Sequence, residues 1–279
     1  MKLHPDSEMG AVEHDGRTIA FHDTGAPNDG RVPIVLVHGT GGTAEAHFRT
    51  VYPMLAARHR VIALDLVVSD DDELDHLIAQ VVAVIESRSP GAPVHLVGYS
   101  LGSVVVAALA GRRADLVETL TLLAGWVATD KQQRLRYDVW EALRASGGRA
   151  LQEFQTLMAF GSRFLRSRSD RDLEQLITSR AFRDGIDAEM RINRTVDISA
   201  DIARITAPTL VVGCAGDQMV PITHAYMLLG GIENARFVEI DSGHAVTVER
   251  PAQVFMLIDN FVKNPDEHAA GETIPQLTI

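Results

Sequence analysis

The sequence predicts an α/β protein, a mostly parallel sheet with helices on both faces, interrupted once by a helical insertion. Three observations carry this reading. Short apolar runs alternate with helix-length segments between residues 34 and 123, and the same alternation resumes at residue 209. Between the two blocks, apolar residues recur at helical spacing without any strand pattern.

Taken in order, residues 11–23 form an opening hairpin turning at Asp15-Gly16, a dipeptide suited to the positive φ of a tight turn. Runs 34–37, 61–64, 94–97 and 119–123 are apolar throughout or nearly so, as strands covered on both faces require. Helices are expected at 44–57, 74–87 and 101–111, the second preceded by the acidic run 69–73, which favours a helix N-terminus. After the insertion come a strand at 209–213, a helix at 222–229, a strand at 237–240 and a last helix at 251–262. The stretch from Asn264 onward, with Pro265, Gly271 and Pro275, reads as a loosely held tail over 265–279.

Residues 125–205 are expected to form a cap over the core, which comprises 1–124 and 206–264. Apolar positions recur there at Leu135, Val139, Leu143, then Leu151, Phe154, Leu157, Met158, then Leu173, Leu176, Ile177. The segment has its own charge balance, 13 basic against 10 acidic residues over 125–196, in a chain of net charge −11. Pro208 biases Ala207 away from helix and ends the insertion before the next strand.

Composition limits the function. The 279 residues are 46% hydrophobic and 23% charged, which suits a globular core and excludes a disordered chain. A net charge of −11 repels phosphate, so neither nucleic acid nor an anionic membrane is an expected partner. The single Cys214 rules out an internal disulfide and a cysteine-based zinc cluster. The N-terminus lacks the apolar stretch of a signal peptide, and no run approaches the roughly 20 apolar residues of a membrane span. The expectation is a cytoplasmic protein acting on a small molecule, without metal or cofactor, and compatible with a homodimer.

The sharpest motif is Gly98-Tyr99-Ser100-Leu101-Gly102, between an apolar strand and a helix. A tight strand-to-helix turn strains the serine backbone, leaves no room for side chains at the flanking glycines, and aims the hydroxyl out from the sheet. Ser100 is therefore the candidate nucleophile. His244, in Asp241-Ser242-Gly243-His244 after a strand, is the histidine best placed to act as its base. His4, His14 and His268 lie in terminal or turn segments and His95 within a strand. Asp217, in the shaped loop after 209–213, is the candidate acid, with Asp65 as its rival; Asp241 is too near His244 in sequence to reach around its ring. The loop His38-Gly39-Thr40-Gly41-Gly42 can supply one oxyanion donor, the Thr40 N–H, and Leu101 the other. It lacks the Gly-Lys-Ser/Thr ending of a phosphate-binding loop, and His38 reads as a structural residue beneath it.

The chain order Ser100, Asp217, His244, with the His-Gly-x-Gly loop upstream and a helical insertion before the acid, resembles the α/β-hydrolase fold family over residues 10–262. The resemblance implies an eight-stranded mostly parallel sheet, a cap over the site and no cofactor. Members that open epoxides or displace halide carry Asp where this chain has Ser100. The Arg-Gly-His-Gly-like loop common after the strand ending at Asp65 is replaced here by Leu66-Val67-Val68-Ser69, so the pocket of better-known members does not carry over.

The expected activity is cleavage of an ester, lactone or thioester through an acyl-enzyme in a largely apolar capped pocket. Trp126, Phe160 and Met219 are the candidate substrate contacts. The cap arginines Arg163, Arg166, Arg168 and Arg171 cluster, and one of them could meet a substrate carboxylate. Two other classes share the motifs: non-hydrolytic use of the same triad (C–C cleavage, elimination, acyl transfer or cyclisation), and a non-catalytic ligand-binding protein.

Overall fold

Side chains alternate across a strand, so a strand apolar at every position must be buried on both faces. This holds for the central strands: Val35 and Val37 face one core cluster while Ile34 and Leu36 face another, all fully buried. The structure is a computed structural model describing residues 2–25, 30–179, 182–183 and 185–276. Among these, the strands are β1 (Glu8–His14), β2 (Arg17–Asp23), β3 (Ile34–Val37), β4 (Val61–Leu64), β5 (Val94–Tyr99), β6 (Val117–Leu123), β7 (Thr209–Cys214), β8 (Ala235–Ile240) and β9 (Thr273–Ile274). They form one sheet in the order β1-β2-β4-β3-β5-β6-β7-β8-β9. The β1–β2 hairpin is antiparallel, β2 runs antiparallel to β4, and every later pairing is parallel. The ninth strand comes from the stretch expected to be a loose tail: Thr273 and Ile274 pair with Phe237 and Val238, and the Phe237 N–H donates to the Glu272 carbonyl at 2.9 Å. Residues 277–279 of that tail lie outside the described residues.

Helices α1 (Ala44–Phe48) and α2 (Val51–Ala56) replace the single helix expected over 44–57. Pro53 explains the break, since it has no N–H to continue the ladder and its ring crowds the carbonyl four residues earlier. Helix α3 (Leu74–Arg88) and α4 (Leu101–Arg112) pack on one face of the sheet, α4 with Leu101 to Ala110 all buried.

The insertion is helical: α5 (Lys131–Ser146), α6 (Arg149–Ala159), α7 (Ser162–Arg166), α8 (Asp170–Thr178), α9 (Ile186–Thr195) and α10 (Ser199–Ile202). Its neck closes where Ala128 bridges Asp197, with the Thr129 N–H donating to the Val196 carbonyl and the Ile198 N–H to the Val127 carbonyl, both at 2.9 Å. The cap thus leaves the core at the neck and returns before residue 205, and α10 packs on α4 as part of the core. One face of α5 differs from expectation. Leu135 and Val139 are 66% and 46% exposed, whereas Tyr137 and Trp140 are buried at 1% and 4%. Gln133, Tyr137 and Trp140 share the inward stripe by the same helical spacing, and the aromatic pair fills it. Helices α11 (Thr223–Gly231), α12 (Val246–Glu249) and α13 (Pro251–Lys263) complete the fold. No helix among the described residues is long and apolar enough to cross a membrane.

Candidate active site

Ser100 joins β5 to α4 with φ 55° and ψ −121°, outside the regions open to ordinary side chains. Such a residue costs about 1–3 kcal/mol and persists because its surroundings hold it. Here its N–H donates to the Leu123 carbonyl at 2.9 Å, and α4 passes tightly beneath the neighbouring loop. A Cβ on Gly102 would lie 2.1 Å from the Val37 carbonyl oxygen, so only glycine fits.

The three residues named for the triad converge. His244 Nε2 lies 2.8 Å from Ser100 Oγ, and His244 Nδ1 lies 2.7 Å from Asp217 Oδ2. All three are buried. With Asp217 accepting from Nδ1–H, Nε2 is left to accept the serine proton. The other oxygen of Asp217 accepts the N–H groups of Met219 and Val220, both at 2.8 Å, which fixes the loop and sets Met219 on the site wall. The Tyr99 hydroxyl donates to the His244 carbonyl at 3.0 Å. The rival acid sits elsewhere: Asp65 accepts the Ala44 N–H at 2.7 Å, a free donor in the first turn of α1, whose N-cap is Thr43. Asp241 is exposed and pairs with Arg163.

The glycine loop runs against Ser100, so that a Cβ on Gly39 would meet Ser100 Cβ at 2.7 Å. Leu101 opens α4, so its N–H precedes the first intrahelical acceptor. His38 is fully buried, and burial pushes its pKa down to about 4. The neutral ring bridges two loops, Nδ1 donating to the Gly39 carbonyl at 2.9 Å and Nε2 accepting the Leu66 N–H at 3.0 Å. That is the structural place expected of it.

The cap supplies two contacts to this loop that sequence reasoning missed. Glu189 accepts the Gly41 N–H at 2.5 Å and pairs with Arg183, and Asn193 Nδ2 donates to Thr40 Oγ1 at 2.9 Å. Burial raises the Glu189 pKa, opposed by Arg183 and the Gly41 N–H. A readable signal existed: the two lie four residues apart on α9, on the face that also buries Ile186 and Met190. The cap also meets the histidine loop, where the Ala245 N–H donates to the Ala159 carbonyl at 2.8 Å and Glu249 accepts the Gly161 and Gly243 N–H groups.

Between floor and cap lies a cavity of about 250 Å³. Trp126, Phe160 and Met219 all line it, with Ser100 and His244, and so does Thr40. Trp126 is held by its Nε1–H on Thr129 Oγ1 at 3.0 Å. The lining is mixed rather than uniformly apolar, with Phe182, Ile186, Met190 and Val220 beside polar groups. Arg136, Gln155, Asn193 and Thr247 also line the cavity, and each has a buried polar side-chain atom without a hydrogen-bond partner among the described residues. The expected arginine cluster is not on the cavity wall: Arg163 pairs with Asp241 outside it, and Arg168 lies over the Phe164 ring. Among the described residues no three His, Cys, Asp or Glu side chains converge on a metal-sized site.

Comparison with known proteins agrees with this architecture. A profile described as Alpha/beta hydrolase family matches residues 34–257, and the chain belongs to that family of enzymes. It is 31% identical over 250 residues to a pyrrolizixenacetamide deacetylase of Xenorhabdus hominickii, covering 85% of this chain and 94% of the relative. Among solved structures, MGS-M2, an alpha/beta hydrolase from a Medee basin deep-sea metagenome library, superposes with a TM-score of 0.83 at 18% identity, covering 91% of this chain and 97% of the other. The enol-lactonase of Burkholderia xenovorans LB400 gives 0.77 at 19% identity, covering 92% and 100%.

Proposed function

We propose that the protein hydrolyses an acyl bond of a small molecule, with Ser100 as nucleophile, His244 as general base and Asp217 as the acid that orients it. The observation carrying this reading is the buried hydrogen-bonded chain from Ser100 through His244 to Asp217 on the floor of the cavity. His244 Nε2 takes the Ser100 proton as Oγ attacks the acyl carbonyl. The Thr40 and Leu101 N–H groups receive the oxyanion, a contribution of about 10²–10³ in rate per donor in comparable sites. The imidazolium, stabilised by Asp217, protonates the leaving group, and water activated by His244 then releases the acid from the acyl-enzyme. An ester, lactone or thioester suits this chemistry. The deacetylase name of the 31% identical relative favours a second scissile bond, the carbon–nitrogen bond of an amide. A cavity of about 250 Å³ favours a small acyl group in either case.

A fluorophosphonate probe should add one adduct on the peptide containing Ser100, and a mass-spectrometric screen of acyl compounds in ¹⁸O water should show one solvent oxygen in the acid product. Labelling elsewhere with Ser100 untouched overturns the nucleophile. Turnover without solvent oxygen moves the reaction to the non-hydrolytic class.

A further inference from the structure

The cavity wall holds a cation that the proposed chemistry does not use. Arg136 projects from α5 and lines the cavity opposite the sheet edge. Several other cap arginines meet carboxylates: Arg144 pairs with Asp187, Arg149 with Glu153 and Glu174, Arg183 with Glu189, and Arg194 with Asp138 and Glu141. Arg136 meets none among the described residues. Its Nε is enclosed and has no hydrogen-bond partner among the described residues, and its guanidinium rests against the Tyr137 ring at 4.3 Å. Burial pulls its pKa below the ordinary arginine value, with Tyr137 and the more distant Asp217 acting in the opposite sense. An arginine stays charged in any protein setting. A guanidinium enclosed without a counter-ion is costly, and that cost is relieved when an anion arrives.

We infer that Arg136 is a specificity-determining residue, and that the acyl substrate carries a carboxylate which the guanidinium receives while Ser100 attacks the acyl carbon. The planar fork of arginine matches a carboxylate with two parallel N–H donors, and a carboxylate is small enough to share so confined a cavity with an acyl group. Gln155 from the cap and Thr247 from beside His244, whose buried oxygens also lack partners among the described residues, line the same cavity and can bind the polar groups between the two ends. This inference rests on the acyl-hydrolase reading for the position of the reacting carbon.

The test uses a matched pair of chromogenic esters, the p-nitrophenyl monoester of glutaric acid and its methyl-capped diester. The wild-type kcat/KM should favour the free carboxylate by at least about tenfold, and Arg136→Gln should bring that ratio to about one. Arg136→Lys, which keeps the charge but not the fork, should fall between. A wild-type ratio of one or less, or a ratio that survives Arg136→Gln in a protein of unchanged Tm, overturns the assignment. Calorimetric titration of Ser100→Ala with both esters separates this result from the fate of the hydrolase reading. Tighter binding of the carboxylate ester, lost on adding Arg136→Gln, supports the assignment even if the wild type cleaves neither compound, in which case the hydrolase reading alone fails. Equal binding of the two esters overturns the assignment whatever the turnover.

Discussion

The floor and the roof of the cavity are built by different means. The floor is made of backbone: a serine held at φ 55°, a glycine that no other residue could replace against Val37, and loops fixed by main-chain hydrogen bonds. The roof is made of side chains, Trp126, Arg136, Gln155 and Phe160, presented by the neck and the helices of the insertion and their connections. A floor built from backbone admits few sequences and one geometry, so it suits chemistry common to many substrates. A roof built from side chains can change one residue at a time, so it suits selection among substrates.

The contrast is sharpest for the floor, where substitution should abolish turnover rather than redirect it. Ser100→Ala is expected to lower kcat by about 10⁶, and Asp217→Asn by about 10⁴, with Tm little changed in either. Steady-state kinetics against every active ester would check both. An active Asp217→Asn protein alongside an inactive Asp65→Asn would move the acid to the other loop and break the account of the floor.

The same contrast explains what could be read from sequence. Gly98-x-Ser100-x-Gly102 and His38-Gly39 announce backbone constraints, because glycine is required where chains pass within van der Waals distance. The strands were legible because burial on both faces demands unbroken apolar runs. Met219 was legible as a neighbour of Asp217, whose carboxylate holds its N–H. Arg136 was not, since nothing near it in sequence distinguishes it from Arg134 one face away; only its place on the cavity wall, with no carboxylate paired to it among the described residues, does. The apolar stripe of α5 was misjudged for a related reason, since helical spacing gives the period of a face and leaves its direction to tertiary packing. The two-residue strand β9 is too short to carry any alternation.

The next effect is on stability and comes from beneath the floor. His38 and His95 are held neutral, each with its pKa pushed down to about 4, mainly by burial. Unfolded histidine titrates near 6.5, so between about pH 6.5 and 4 the unfolded chain binds more protons and stability falls with acidification. Urea unfolding at a series of pH values should show this slope, about 1.4 kcal/mol per pH unit for each histidine at its steepest. His38→Asn should remove one histidine's share; an unchanged slope would mean that His38 titrates normally in the fold.

The smallest effect tests whether floor and roof are as separate as their construction suggests. Helix α9 belongs to the cap, yet Asn193 and Glu189 hold Thr40 and Gly41 of the glycine loop proposed to receive the oxyanion. Neither touches Ser100, so both are positioning residues. Removing the Asn193 amide leaves the Thr40 N–H in place but frees the loop to wander by fractions of an ångström, and an oxyanion donor works only when preorganised. Asn193→Ala should therefore lower kcat by about tenfold on every substrate while leaving their rank order intact, a fraction of the loss expected when a donor is removed outright. Phe160→Ala, which alters the roof without touching the loop, should do the reverse, changing rank order and KM with less effect on kcat. Measuring kcat and KM separately over a panel of esters distinguishes the two patterns. If Asn193→Ala reshuffled preference and spared kcat, the cap would act on this site only as a wall, and the hydrogen bond to Thr40 would serve cap docking alone.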